Sequence, residues 1–160
     1  MKHLLFTRPA AAGICVALLL ATPAFAQLKK PPSIEGQWRF ETGAFRDGNC
    51  TISGSIIFAK QPNSQAYSCS FASHLACGKA PVSTFDVKQS CTATYAKGEF
   101  AIVSEVKEIV HRYQGAYPLG TIYRPDDFYV RPQPNGELTG KFSSVSTSTV
   151  RFWREGDLVS

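Results

Sequence analysis

Apolar and polar residues alternate with a period of two through most of the chain after Ser33. The stretch from Ile34 to Phe58 sets the pattern, with Trp38 and Phe40 on one side and Cys50, Ile52, Gly54, Ile56 and Phe58 continuing it. A Gly-rich turn (Thr42, Gly43, Asp47, Gly48, Asn49) separates the two runs. A period of two places alternate side chains on one face of a pleated strand. These residues therefore predict the first two strands of a sheet, with Trp38 as the large plug at its floor.

The same pattern recurs downstream. After a turn at Gln61-Pro62-Asn63-Ser64, Tyr67, Cys69, Phe71, Leu75 and Cys77 share one face, with Ser68, Ser70 and His74 opposite. Gly78 to Pro81 turns the chain. Phe85, Val87, Cys91, Ala93 and Tyr95 form the next face, and Lys97-Gly98 leads into an apolar run from Phe100 to Val106. The pattern weakens from Lys107 to Tyr117, where Glu108-Ile109-Val110 fits either a strand or a short helical turn. Pro118, Pro125, Pro132 and Pro134 then bracket a short strand at Asp127 to Val130. Asn135-Gly136 is a strong hairpin signal leading to Leu138, Gly140 and Phe142, and Ser148, Val150 and Phe152 share the final face. Short strands at this spacing, with no 3.6-residue period and no internal repeat, predict an all-β fold. The expectation is a small up-and-down barrel of about eight strands.

The first 26 residues stand outside this pattern. Lys2, His3 and Arg8 give a basic start, Ala10 to Ala21 is apolar, and Ala24-Phe25-Ala26 is a cleavage motif before Gln27. The run is too short for a membrane span. Residues 1–26 are therefore read as a signal peptide, residues 27–33 as an extended segment, and residues 34–160 as one domain. The protein is expected in the bacterial periplasm or outside the cell. Its removal takes two of the 17 basic residues and none of the 12 acidic ones, leaving a small positive charge. The remaining basic residues are scattered, which argues against nucleic acid as the partner.

Cleavage leaves four cysteines, Cys50, Cys69, Cys77 and Cys91. Cys69-x₄-His74-x₂-Cys77 has the look of a zinc cluster, but His74 falls on the face opposite the two thiols. An even count in an exported chain favours disulfides. A turn centred near Pro62-Asn63 puts Ile56 opposite Cys69 and carries Cys50 opposite about residue 75. A turn near Lys79-Ala80 puts Cys69 opposite Cys91. The predicted pairs are Cys50–Cys77 and Cys69–Cys91.

Catalytic chemistry is sparse. His74 and His111 are the only histidines after residue 26, and no nucleophile elbow, zinc-protease helix or phosphate loop is present. Asp126-Asp127 reads as turn residues, because adjacent carboxylates on a strand point to opposite faces. Tyr113, Tyr117, Tyr123, Phe128 and Tyr129, with Arg112, Arg124 and Arg131, form a candidate recognition series, weighed against plain alternation of core and exterior. No motif calls for a cofactor or metal. A binding module is expected rather than an enzyme.

Gly36-x-Trp38 on the first strand and arginines on the last (Arg151, Arg154) resemble the calycins, the lipocalins and their bacterial relatives. In that family an arginine of the last strand stacks on the tryptophan. Gly36, Trp38 and Arg151 are the structural positions the resemblance marks. A closer match covers residues 28–52: Leu28-Lys29-Lys30-Pro31-Pro32-Ser33, Gly36-Gln37-Trp38 and Cys50-Thr51-Ile52 resemble the bacterial alkaline-metalloprotease inhibitors. That resemblance implies that an N-terminal trunk, here Gln27, Leu28, Lys29, Lys30, Pro31, Pro32 and Ser33, enters a protease cleft. The chain departs from those inhibitors in being longer and in carrying a second cysteine pair. The competing expectation is a lipocalin-like carrier of a small apolar ligand, with Gly54, Ala93, Ser104 and Gly140 leaving a cavity. A structural envelope protein is the third.

Overall fold

The computed structural model describes residues 31–120 and 122–154. Eight strands carry the fold: β1 (Gly36–Thr42), β2 (Cys50–Lys60), β3 (Tyr67–Cys77), β4 (Ser83–Ala96), β5 (Glu99–Tyr113), β6 (Asp127–Pro132), β7 (Leu138–Ser143) and β8 (Thr147–Arg154). Each pairs antiparallel with the next, and β8 returns to β1, so the sheet closes into an up-and-down barrel. The all-β barrel of about eight strands expected from the alternation is what forms. Residues 1–26 and positions 27–30 of the expected trunk lie outside the described residues.

Alternation sends every second side chain to the barrel axis, where rings replace open space. Phe40 lies 5.8 Å from Phe71, 5.2 Å from Phe128 and 5.3 Å from Phe152, and Phe128 is 5.2 Å from Phe152, all centroid to centroid. Offset and edge-on pairs at these separations pack favourably, so the stack closes the middle of the barrel. Gly54 and Gly140, which the carrier reading needs as cavity-forming positions, sit where strands pinch together. A Cβ on Gly54 would meet the Ala72 carbonyl and lie 2.8 Å from the Phe40 ring; one on Gly140 would meet the Tyr129 carbonyl.

The β2–β3 register is displaced by two residues from the expected one. Phe58 faces Cys69 and Ile56 faces Phe71, because the connecting loop runs from Gln61 to Ala66 and is closed by Gln61 N donating to Ala66 O at 3.0 Å. A shift of two leaves every side chain on its expected face. It brings Cys50 directly opposite Cys77. Between β4 and β5 the turn has two residues, Lys97 and Gly98, both at positive φ (52° and 83°), the conformation that matches strand twist.

The ambiguous stretch after Lys107 is strand: β5 continues to Tyr113. Its alternation is broken because Lys107 and Val110 are extra residues in the ladder with β4. Only Phe100, Ala101 and Ile102 of β5 pair with β6. Residues 114–120 and 122–126 of the following connection lie at one end of the barrel. That end, the mouth, also carries the β1–β2, β3–β4 and β7–β8 connections. Residue 31 enters at the other end.

Candidate functional site

The entry of the N-terminal segment is built from three residues. Ile34 is buried, and its carbonyl accepts a 2.8 Å hydrogen bond from Trp38 Nε1. The Arg154 guanidinium lies over the Trp38 ring with its carbon 4.5 Å from the centroid. It donates from Nη1 to the Glu35 carbonyl at 2.9 Å and from Nη2 to the Ser33 carbonyl at 3.5 Å. Gly36 makes room, since it adopts φ 107° and a Cβ there would sit 3.1 Å from Arg154 Nη1. The arginine on the tryptophan is Arg154, not Arg151. Arg151 is one step off the inward face of β8 and stacks outside on Trp153 at 4.9 Å. Of the expected trunk, Pro31 is partly buried, and Pro32 and Ser33 are exposed.

Both disulfides form between facing residues, Cys50–Cys77 with Cα atoms 4.1 Å apart and Cys69–Cys91 with Cα atoms 4.8 Å apart. They staple β2 to β3 and β3 to β4. His74 points outward, where Nδ1 contacts Asp86 Oδ1 at 2.5 Å. Ser53 is the cross-strand neighbour of His74 on β2, so serine, imidazole and carboxylate lie in one row. No hydrogen bond joins the Ser53 hydroxyl to the imidazole among the described residues, so the row holds a His–Asp pair without an engaged nucleophile. Among the described residues no group of His, Cys, Asp and Glu gathers as metal ligands.

Two concavities, of about 550 and 580 Å³, lie on the outer wall; the first runs past Arg39, His74, Lys88 and Trp153 and the second past Thr139, Thr149 and Arg151. The aromatic–arginine series does not come together as one surface. Phe128 is core, Tyr117 and Tyr123 pack against the core, and Tyr113 and Tyr129 are exposed. Arg112 stacks on Phe85, and Arg131 bonds Glu99.

The mouth holds a feature that the turn reading of Asp126 missed. Asp126 is wholly buried. Its Oδ2 accepts from Tyr123 Oη at 2.6 Å, Gln89 Nε2 at 2.6 Å and Ser73 Oγ at 3.3 Å. Its backbone N–H donates to Gln89 Oε1 at 3.0 Å, and Ser104 Oγ lies 3.0 Å from the same oxygen. Asp126 Oδ1 is buried and has no hydrogen-bond partner among the described residues. Burial pushes this carboxyl up to about 6, against the opposing hydrogen bonds from Tyr123, Gln89 and Ser73 and the nearby Ser144 hydroxyl. Burial, reinforced by the neighbouring carboxylate, also drives the Tyr123 phenol upward, so it stays a donor. Asp127 faces the other way and accepts from Ser104 N at 2.8 Å. A void of about 30 Å³ at the mouth is lined by Phe45, Leu119, Tyr123 and Ser144.

A scan of protein-family models and searches of curated proteins and of solved structures found no match. No helix among the described residues is long and apolar enough to cross a membrane.

Proposed function

We infer that this protein is an exported, disulfide-stapled binding module that inhibits a protease through its N-terminal segment. The observation that carries this reading is the footing beneath that segment. The carbonyls of Ser33, Ile34 and Glu35 are each held by Trp38 or Arg154, so the chain leaves the barrel from a fixed point. Pro31 and Pro32 restrict the backbone beyond it. A segment already extended and rigidly mounted loses less conformational freedom on entering a cleft, and that saving appears as affinity. Two disulfides keep the mount folded in an oxidising compartment and among proteases. Lys29 and Lys30 add positive charge to the segment, favouring a target with an acidic rim at the cleft mouth, chiefly through the association rate.

The ring stack along the barrel axis weighs against the carrier reading, because an apolar ligand needs several hundred cubic ångströms of enclosed space. The test compares the chain beginning at Gln27 with one beginning at Ser33, against a panel of secreted and periplasmic proteases that includes zinc enzymes. Inhibition by the longer form alone, at equal melting temperatures, supports the trunk mechanism. Equal inhibition by both removes the trunk, and inhibition by neither removes the inhibitor reading.

A further inference from the structure

We propose that Asp126 is a proton-operated latch on the segment of residues 122–126: protonated, it keeps this segment seated on the barrel mouth, and ionised, it lets the segment lift and uncover a polar socket of Ser73, Gln89 and Ser104. This carboxyl enters the barrel from the loop, one residue ahead of β6, so it can withdraw without breaking a strand ladder. The loop's first half rests on the β3–β4 connection, through Gly115 N to Ser83 Oγ at 2.8 Å and Ala116 N to Pro81 O at 2.9 Å. Among the described residues, the bonds from its second half to the barrel converge on Asp126, apart from one from Ser144 Oγ to the Arg124 carbonyl at 3.4 Å. That half is thus held by one buried carboxyl and by the Tyr123 ring, whose centroid lies 5.4 Å from that of Phe85, and of the two only the carboxyl changes charge in the acid range.

The surroundings make its charge costly. From β3 the facing group is Ser73, from β4 Gln89, from β5 Ser104 and from the β7–β8 turn Ser144, all neutral. From the loop itself it is Tyr123, a phenol. Asp127 is adjacent and is itself a carboxylate. Asp86, Lys88 and His74 belong to the outer face of their strands. Arg46 and Arg124 line the neighbouring void with Tyr123 and Ser144, yet no salt bridge to Asp126 and no hydrogen bond to its Oδ1 form among the described residues, so an ionised carboxylate is solvated on one oxygen only. Three hydrogen bonds to Oδ2 limit that cost without removing it.

Closed, the carboxyl titrates near 6; lifted into water, it returns to the ordinary value of 3.8. The closed form then binds the proton more tightly, so closure is firmest below the open value and weakens as pH rises toward the closed one. The opening constant rises on the order of a hundredfold across that window and is level above it.

Amide hydrogen exchange of the segment 122–126 tests this between pH 4 and 7.5, each rate divided by its intrinsic value at that pH. We expect protection to fall on the order of a hundredfold up to about pH 6 and then hold level. At pH 7 the loop's exchange should ignore sub-denaturing urea while that of β2 and β3 accelerates, because its opening is local. Asp126→Asn, which keeps the shape and cannot ionise, should show pH-independent loop protection. Protection without pH dependence in the wild type, the same dependence in the variant, or a loop sharing the strands' urea response would each overturn the latch. Should the variant not fold, carbon NMR of the wild-type Asp126 carboxyl decides it. Titration well above the ordinary value, in step with loop exchange, supports the latch, and titration near 4 overturns it.

Discussion

Arg154 covers the face of Trp38 while Trp38 Nε1 holds Ile34, so one stacked pair both seals the barrel floor and fixes the chain that enters it. Trp38 is 2% exposed, and its loss to alanine should cost about 3–5 kcal/mol, the range for a buried tryptophan. Arg154→Ala should cost about 1–2 kcal/mol, from the cation–π contact and the donors to Glu35 and Ser33. Arg154→Lys should not restore it, since an ammonium cannot span two carbonyls while lying flat on a ring. Urea melts check the magnitudes. A protease-sensitivity comparison at residues 31–33 separates the two roles, because Arg154→Ala should expose this segment to cleavage while the barrel stays folded.

The disulfides should be separable in effect. They close loops spanning 27 and 22 positions, for which chain-entropy arguments give about 3–4 kcal/mol each. A non-reducing peptide map should recover Cys50 with Cys77 and Cys69 with Cys91; a Cys50–Cys69 peptide would break the β2–β3 register. Replacing either pair with Ala/Val should lower the urea midpoint, and replacing both should lower it further by an amount that departs from the sum, since both disulfides hold β3 and their loops overlap between residues 69 and 77.

Gly140→Ala gives a sharp test of the pinched strands. Its added methyl meets the Tyr129 carbonyl and lies 2.8 Å from Val130 Cα, both backbone atoms of the facing strand, so relief requires moving β6 away from β7. The expected cost is about 1–3 kcal/mol or more. Gly98→Ala has no atom within 4 Å of the new methyl and carries only the cost of φ 83°. It should cost about 1 kcal/mol, less than Gly140→Ala. Equal melts for the two variants would mean that the strands do not approach as described.

The strand faces were legible because burial on one side imposes parity, and parity survives a register error of two. The same rule separates Arg154 from Arg151: Ser148, Val150 and Phe152 define the inward face of β8, and only Arg154 continues it. What parity cannot reach is a loop. Asp126 lies between Pro125 and Asp127, where local composition says turn, and nothing local reports that its carboxyl meets Ser73 and Gln89, 53 and 37 positions away. The polar residues Ser73, Gln89 and Ser104 were a signal, since each occupies an inward position among apolar neighbours and calls for a buried partner. The second half of β5 was obscured for a different reason, because the extra residues at Lys107 and Val110 shift the alternation twice within four positions. The footing's parts were visible as Gly36-x-Trp38, while the bonds that tie Arg154 to Glu35 and Ser33 depend on barrel closure.

Global stability should carry the Asp126 signature whether or not the loop lifts. The folded carboxyl titrates at about 6, above its ordinary 3.8, so between these values the native state holds a proton that the unfolded chain releases. Stability contributed by this group is full below the ordinary value, declines as pH rises through the window and is absent above it. The difference is on the order of 3 kcal/mol for a wholly buried group. Other carboxylates titrate in the same range, so the informative quantity is the wild type minus Asp126→Asn, each measured by urea unfolding at pH 4, 5, 6 and 7.5. That difference should become less favourable to the wild type up to about pH 6 and then stay constant. The variant should be at least as stable as the wild type at pH 7.5. A difference that does not change with pH, or one that favours the wild type more as pH rises, would mean that the buried carboxylate is better solvated than its single-sided hydrogen bonding implies.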